Sequence, residues 1–93
     1  MMSYRHQVRI VSDVLLAVKE GHEEGVGIAQ LMRKANISYV RVTKILNELI
    51  SVGLIEEIKN ERSTKYKITY LGIEYLSEYE RFSTFAKSFG LEI

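Results

Sequence analysis

Ninety-three residues, 46% hydrophobic and 27% charged, are enough for one domain with its own apolar core. A formal charge of +1 is a weak footprint for a protein that holds polyanions by bulk charge, and the absence of cysteine excludes disulfides and thiolate metal sites. No run approaches the roughly 18 apolar residues of a membrane span, and Met1 to Gln7 lacks the basic and apolar regions of a secretory signal, so the expected location is cytoplasmic.

Charge is unevenly placed. Residues 1–68 hold eleven Lys/Arg against eight Asp/Glu, whereas residues 69–93 hold two against four. Ser3 is a candidate cap for a first helix over residues 4–20, where Val8, Val11, Leu15 and Val18 recur at helical spacing with Ile10 and Val14 beside them. Three glycines in residues 21–27 end it in a solvated loop that carries His22. A short second helix over residues 28–35 sets Ile28, Leu31, Met32 and Ala35 on one side and Arg33 and Lys34 outward.

After a tight turn at Asn36 and Ile37 comes the best-marked helix, residues 38–52. Ser38 supplies an N-cap oxygen, and Gly53 can take the left-handed conformation that closes the last turn. Val42, Ile45, Leu46 and Leu49 follow i, i+3, i+4, i+7 and form the core stripe. The opposite face carries Val40, Thr43, Lys44, Asn47 and Ser51, flanked by Arg41 and Glu48. Short polar groups with one lysine make a face thin enough for a DNA major groove.

The period then changes to strand-like alternation over residues 54–59 and 65–68, joined by a polar tip at residues 60–64. Arg62 sits at that tip, with Lys59, Lys65 and Lys67 along the strands. Three helices followed by a basic hairpin give a mainly α (α+β) fold: a winged helix-turn-helix with a two-stranded wing and a long C-terminal helix.

Leu49-Ile50-Ser51-Val52-Gly53-Leu54-Ile55 and Tyr66-Lys67-Ile68-Thr69-Tyr70-Leu71-Gly72 resemble the winged-helix signature. In it, the recognition helix ends in Gly-Leu-Ile and the wing returns into a Thr-x-x-Gly helix start. Residues 35–40, the compact wing and the long last helix are similar to the small dimeric archaeal winged-helix chromatin proteins of Sulfolobus. The resemblance spans about residues 7–89. It implies duplex DNA as a partner of helix 38–52 and the wing, a homodimer through an antiparallel coiled coil of the last helix, and a nucleoid association.

The residues support the same division, with residues 1–69 as the winged domain and residues 70–93 as a dimerisation helix within one structural unit. Thr69 can cap the last helix, in which Tyr75, Phe82 and Phe89 fall every seven residues with Tyr79 and Ala86 four beyond the first two. Ile68 and Gly72 continue these phases upstream, and Phe85 widens the stripe. Leaving such aromatics in water forgoes about 1.5 to 3 kcal/mol each, which argues for a second copy as their cover; the alternative is a monomer in which this helix folds back along the first and buries part of the stripe but not its far end.

For DNA, Val40, Thr43, Lys44 and Asn47 are the base-side candidates, because Asn can pair with adenine and a Val or Thr methyl can meet a thymine methyl. Ser38, Arg41, Arg33, Lys34, Arg62 and Lys65 are candidates for the phosphate backbone or, at the wing tip, the minor groove. No nucleophile, base and orienting group can be assembled from His6, His22 and the scattered hydroxyls, and no phosphate-binding glycine motif is present. The expectation is a non-enzyme with no cofactor, no metal and no small-molecule substrate. The competing class is a winged-helix adaptor that binds protein.

Overall fold

A computed structural model describes residues 7–92. The order is α1 (Gln7–Lys19), a 3-10 turn (His22–Glu24), α2 (Ile28–Ala35), α3 (Tyr39–Ser51), β1 (Ile55–Lys59), β2 (Thr64–Ile68) and α4 (Tyr70–Lys87). The Ser3 cap and the start of the first helix at Tyr4 lie outside the described residues. So does His6.

α1 turns Ile10, Val14, Leu15, Ala17 and Val18 into the core, where they meet Leu31 and Ala35 of α2 and Val42, Ile45, Leu46 and Leu49 of α3. Val8 is exposed rather than core, because the buried arc of α1 is centred on Val14 and Leu15. Three residues join α2 to α3. Asn36 adopts the left-handed conformation, φ 56°, and Ile37 N–H donates to Met32 O at 3.2 Å, so an asparagine performs the helix-closing role usually given to glycine.

The wing is antiparallel, with Ile55 opposite Ile68 and Lys59 opposite Thr64. Val26, expected only as part of a loop, adds a one-residue third strand: its N–H donates to Tyr66 O at 3.0 Å and its carbonyl accepts from Tyr66 N–H at 2.8 Å. Both strand-edge groups of Tyr66 are thereby satisfied, and the loop between α1 and α2 is pinned to the wing.

α3, β1 and α4 meet at one point. Gly53 closes α3 with φ 84°, Gly53 N–H donating to Ile50 O and Leu54 N–H to Leu49 O, a Schellman motif whose flanking Leu49 and Leu54 are both buried. Thr69 then holds both sides: its hydroxyl donates to Gly53 O at 2.6 Å and accepts from Gly72 N–H at 3.1 Å, capping α4 as expected. Gly72 passes so close to Leu54 O and Ile68 Cγ1 that a Cβ would collide with both. Ile68 and Gly72 therefore face their own domain and are not upstream members of an intermolecular seam.

Alanine is intrinsically the better helix former by about 1 kcal/mol, yet at Gly72 it would strike a backbone carbonyl that cannot move without unseating β1. Gly72→Ala is expected to destabilise the fold by about 2 to 3 kcal/mol, read as a lowered urea midpoint with an unchanged slope.

Candidate nucleic-acid interface

Because the core stripe of α3 occupies one arc, helical geometry at about 100° per residue sends Val40, Lys44, Asn47 and Ser51 to the opposite arc. All four are exposed, Val40 to 73%. Ser38 caps the helix by accepting from Arg41 N–H at 3.2 Å, which leaves the hydroxyl proton available to a phosphate oxygen. Arg41 is exposed on the flank. Thr43 is less available than its spacing indicated: it is half-buried at the edge of the arc, and its hydroxyl donates to Val40 O at 2.9 Å.

The expected cations divide into free and engaged groups. Lys34 binds Glu20 at 2.7 Å, so it enters any polyanion contact in competition with a carboxylate. The Lys34 ammonium, through this hydrogen bond and its charge, holds the Glu20 carboxyl below its ordinary range. Lys67 binds Glu23 at 3.1 Å, tying the wing to the 3-10 turn. Among the described residues, Arg33, Arg41, Lys44, Lys59, Arg62 and Lys65 make no ion pair.

Arg62 is carried on a tight tip. Asn60 Oδ1 accepts from the N–H groups of Arg62 and Ser63, both at 3.0 Å, and Asn60 N–H donates to Ser63 O at 3.0 Å. This short Asx-type turn leaves the Arg62 side chain exposed at the far end of the hairpin. Lys65 lies on the face of β2 opposite Tyr66, beside the cross-strand partner Ile58.

Tyr39 and Glu57, not singled out from the sequence, both act on the Tyr66 phenol of the wing. Tyr66 is buried opposite Glu57, its phenol hydrogen-bonded to that carboxylate, and Tyr39 in the first turn of α3 is near enough to act on it. Burial foremost, then the Glu57 charge and hydrogen bond, push the Tyr66 phenol above its ordinary range. A hydrophobic run at the start of a helix gives no sign of such a contact, since it depends on a strand 27 positions later.

The aromatic stripe of α4 is divided. Within the single chain Tyr75 is half-buried against its own core, Tyr79 is half-buried, and Ala86 is buried, so Ala86 is not an outward seam residue. α1 packs against α4. Phe82, Phe85 and Phe89 remain more than half exposed, with Leu71 on the same side. Phe85 and Phe89 stack edge to face with ring centres 5.1 Å apart. The regular helix ends at Lys87, and Leu91 N–H donating to Ala86 O with Gly90 N–H to Lys87 O wraps its end, so Phe89 stands on the closing turn.

The sequence profile of the winged helix-turn-helix family matches residues 4–87. The chain belongs to this family. It is similar to Sso10a-2, a DNA-binding protein from Sulfolobus solfataricus, at 26% identity and a TM-score of 0.78 over 91% of this chain and 85% of that one. The fold also recurs in the Rio2 kinase of Chaetomium thermophilum, at 24% identity and a TM-score of 0.70, where 86% of this chain covers 25% of that one. It recurs again in Lactococcus lactis ZitR, at 20% identity and a TM-score of 0.66 over 87% of this chain and 56% of that one. No curated protein sequence matches the chain. Among the described residues no helix is long and apolar enough to cross a membrane, and no cluster of side chains could hold a metal.

The buried Tyr66 phenol gives a pH test of how the wing packs on the core. Its folded pKa lies above the unfolded value of about 10, so the folded state holds the proton more tightly. The resulting stabilisation is complete below pH 10 and is lost as the pH rises through the folded value. Tyr66→Phe is expected to flatten the alkaline fall of stability relative to wild type in urea melts above pH 10.

Proposed function

We propose that the protein binds duplex DNA as a homodimer, with α3 in the major groove and the wing on the flanking backbone, and serves as a transcriptional regulator or a chromatin-associated protein. The observation that carries this reading is the exposed arc of Val40, Lys44, Asn47 and Ser51, bordered by free cations at Arg41 and on the wing. Lys44 and Asn47 would meet base edges, and the Val40 methyls a thymine methyl. Thr43 would contribute mainly its methyl. Ser38, Arg33, Arg41, Arg62 and Lys65 would meet phosphates, with Lys34 joining after it releases Glu20. Likeness to a DNA-binding protein at 26% identity over most of both chains supports the same reading.

Residues 1–69 would carry the reading surface and residues 70–93 the dimer contact. Exposed Phe82, Phe85 and Phe89 support that second role, since an aromatic strip on one helix is an efficient self-associating surface. An antiparallel pairing would place two reading surfaces at opposite ends of the coiled coil. In cells the protein would then lie with the nucleoid.

Six free cations on the proposed surface, with Lys34 as a seventh once it releases Glu20, cap the electrostatic contribution, because each neutralised phosphate contributes about −0.9 to the slope of log K against log salt. Binding to random duplex is expected to weaken with salt, with a slope no steeper than about −6 per chain. No binding even at low salt would instead support a winged-helix adaptor that engages protein. Lys44→Ala with Asn47→Ala should reduce sequence preference more than total affinity, whereas Arg62→Ala should weaken all sequences about equally. A chromatin role predicts little sequence preference to lose, and a regulator a clear one.

Phe82→Glu is expected to turn a dimer into a monomer in light scattering while helical content is retained, because residue 82 is already solvent-facing within its own chain. DNA affinity should fall with it as two linked contacts become one. A wild type that has the mass of one chain at micromolar concentration would contradict the dimer.

A further inference from the structure

Leu71, Tyr75, Glu78, Phe82, Phe85 and Phe89 are spaced alternately four and three residues apart, so they run as one seam along α4 and its closing turn. Glu78 is the charged member of that seam. Its side chain is 71% exposed, and Arg81, 76% exposed, stands on the edge of the seam beside it, Arg81 Nη1 lying 3.4 Å from Glu78 Oε2. That contact is long for a charge-assisted bond, and among the described residues Glu78 Oε1 and the other guanidinium N–H groups have no side-chain partner. Both groups are therefore open to a second chain. A carboxylate in the middle of an apolar interface is unfavourable unless a cation meets it there.

The direction of pairing decides whether one does. In a parallel pair like positions meet, so Glu78 would face the partner's Glu78, and Arg81 would face the partner's Ala86. In an antiparallel pair centred on residue 80, Leu71 meets the partner's Phe89, Tyr75 the partner's Phe85 and Glu78 the partner's Phe82, so every seam position is matched. Glu78 and the partner's Arg81 then lie at nearly the same height on one edge of the seam. Sliding the helices by one heptad leaves either Phe85 and Phe89 or Leu71 and Tyr75 without a seam partner. We propose that Glu78 and Arg81 pair across a two-fold axis at residue 80, and that these four charges fix the two α4 helices as antiparallel and in a single register. The inference rests on the dimer proposed above. It sets the partner's Phe89 on Leu71, which lies beside Gly53 at the end of α3, so the register also sets the separation of the two reading helices.

The chain has no cysteine, so introduced cysteines report the register directly. Full-length Leu71→Cys and Phe89→Cys proteins, mixed and mildly oxidised, should form a disulfide between the two variants. Neither should link to itself, because like positions at the ends of the seam lie about 27 Å apart in this pairing. The second measurement is the dimer dissociation constant by sedimentation. Glu78→Arg and Arg81→Glu should each raise it about tenfold or more, and the doubly exchanged Glu78→Arg/Arg81→Glu chain should return to within about threefold of wild type, since the pairs re-form with their signs reversed. A Leu71→Cys protein that links to itself would show parallel helices, and one that links to Phe82→Cys in place of Phe89→Cys would show a register shifted by one heptad; either overturns the inference. So would a dissociation constant that the single charge reversals leave unchanged, the result expected if Glu78 and Arg81 pair only within their own chain. A monomeric wild type would overturn the dimer itself, whereas a wild-type dimer with any of these other results overturns the inference alone.

Discussion

Gly72 has no side chain, and the carbonyl of Leu54 lies where one would be. That close approach allows α4 to begin directly over the end of α3, with the Thr69 hydroxyl bonded to Gly53 O on one side and Gly72 N–H on the other. Thr69 N–H donates to Leu54 O at 3.1 Å, so these two residues also close the base of the wing. The direction of α3, the exit of β1 and the path of α4 are thus set together by one small group of backbone bonds. A residue with any Cβ at position 72 would have to tilt α4 away, and the contact of Tyr75 and Leu76 with the core would be lost along with the crossing.

From that crossing, the surface of α4 is allotted in a fixed way. The arc holding Gly72, Tyr75, Leu76 and Ala86 is taken by the protein's own core and by α1, and the neighbouring arc holding Leu71, Phe82, Phe85 and Phe89 is left in solvent. At the other end of the same junction, α3 presents its polar arc and leads through Gly53 and Leu54 into the wing. The proposed reading surface and the proposed dimer surface therefore belong to one rigidly joined pair of helices. Moving one helix relative to the other would disturb the Thr69 cap, whose loss costs about 0.5 to 2 kcal/mol in comparable helices.

Much of this was legible in the sequence because it depends on local chemistry. The Ser38 and Thr69 caps, the Gly53 terminus and the stripe from Val42 to Leu49 each declare themselves within a few residues, and the structure has all of them. The three-residue turn and the polar hairpin tip are equally local. What the sequence concealed depends on distant partners. A heptad count on Tyr75, Phe82 and Phe89 does not say which members of the stripe the chain's own core takes, and the structure packs Tyr75 on that core and buries Ala86. Val26 looks like loop because one residue of strand has no period, and its pairing with Tyr66 lies 40 positions away. Lys34 looks free until Glu20, 14 residues earlier, is brought against it by the packing of α2 on α1.

Among the candidate site residues, the same distinction holds. The arc of Val40, Lys44 and Asn47 follows from phase alone, whereas Thr43 falls on the boundary of that arc and packing decides that it is half-buried. The most direct measurement of the central claim is a map of backbone amide shifts as short duplex DNA is added to the intact protein. The account predicts the largest changes over residues 38–52 and at residues 59–65, with the exposed side of α1 and Phe82, Phe85 and Phe89 unaffected. Shifts confined to α1 and α4, with residues 38–52 unmoved, would contradict it.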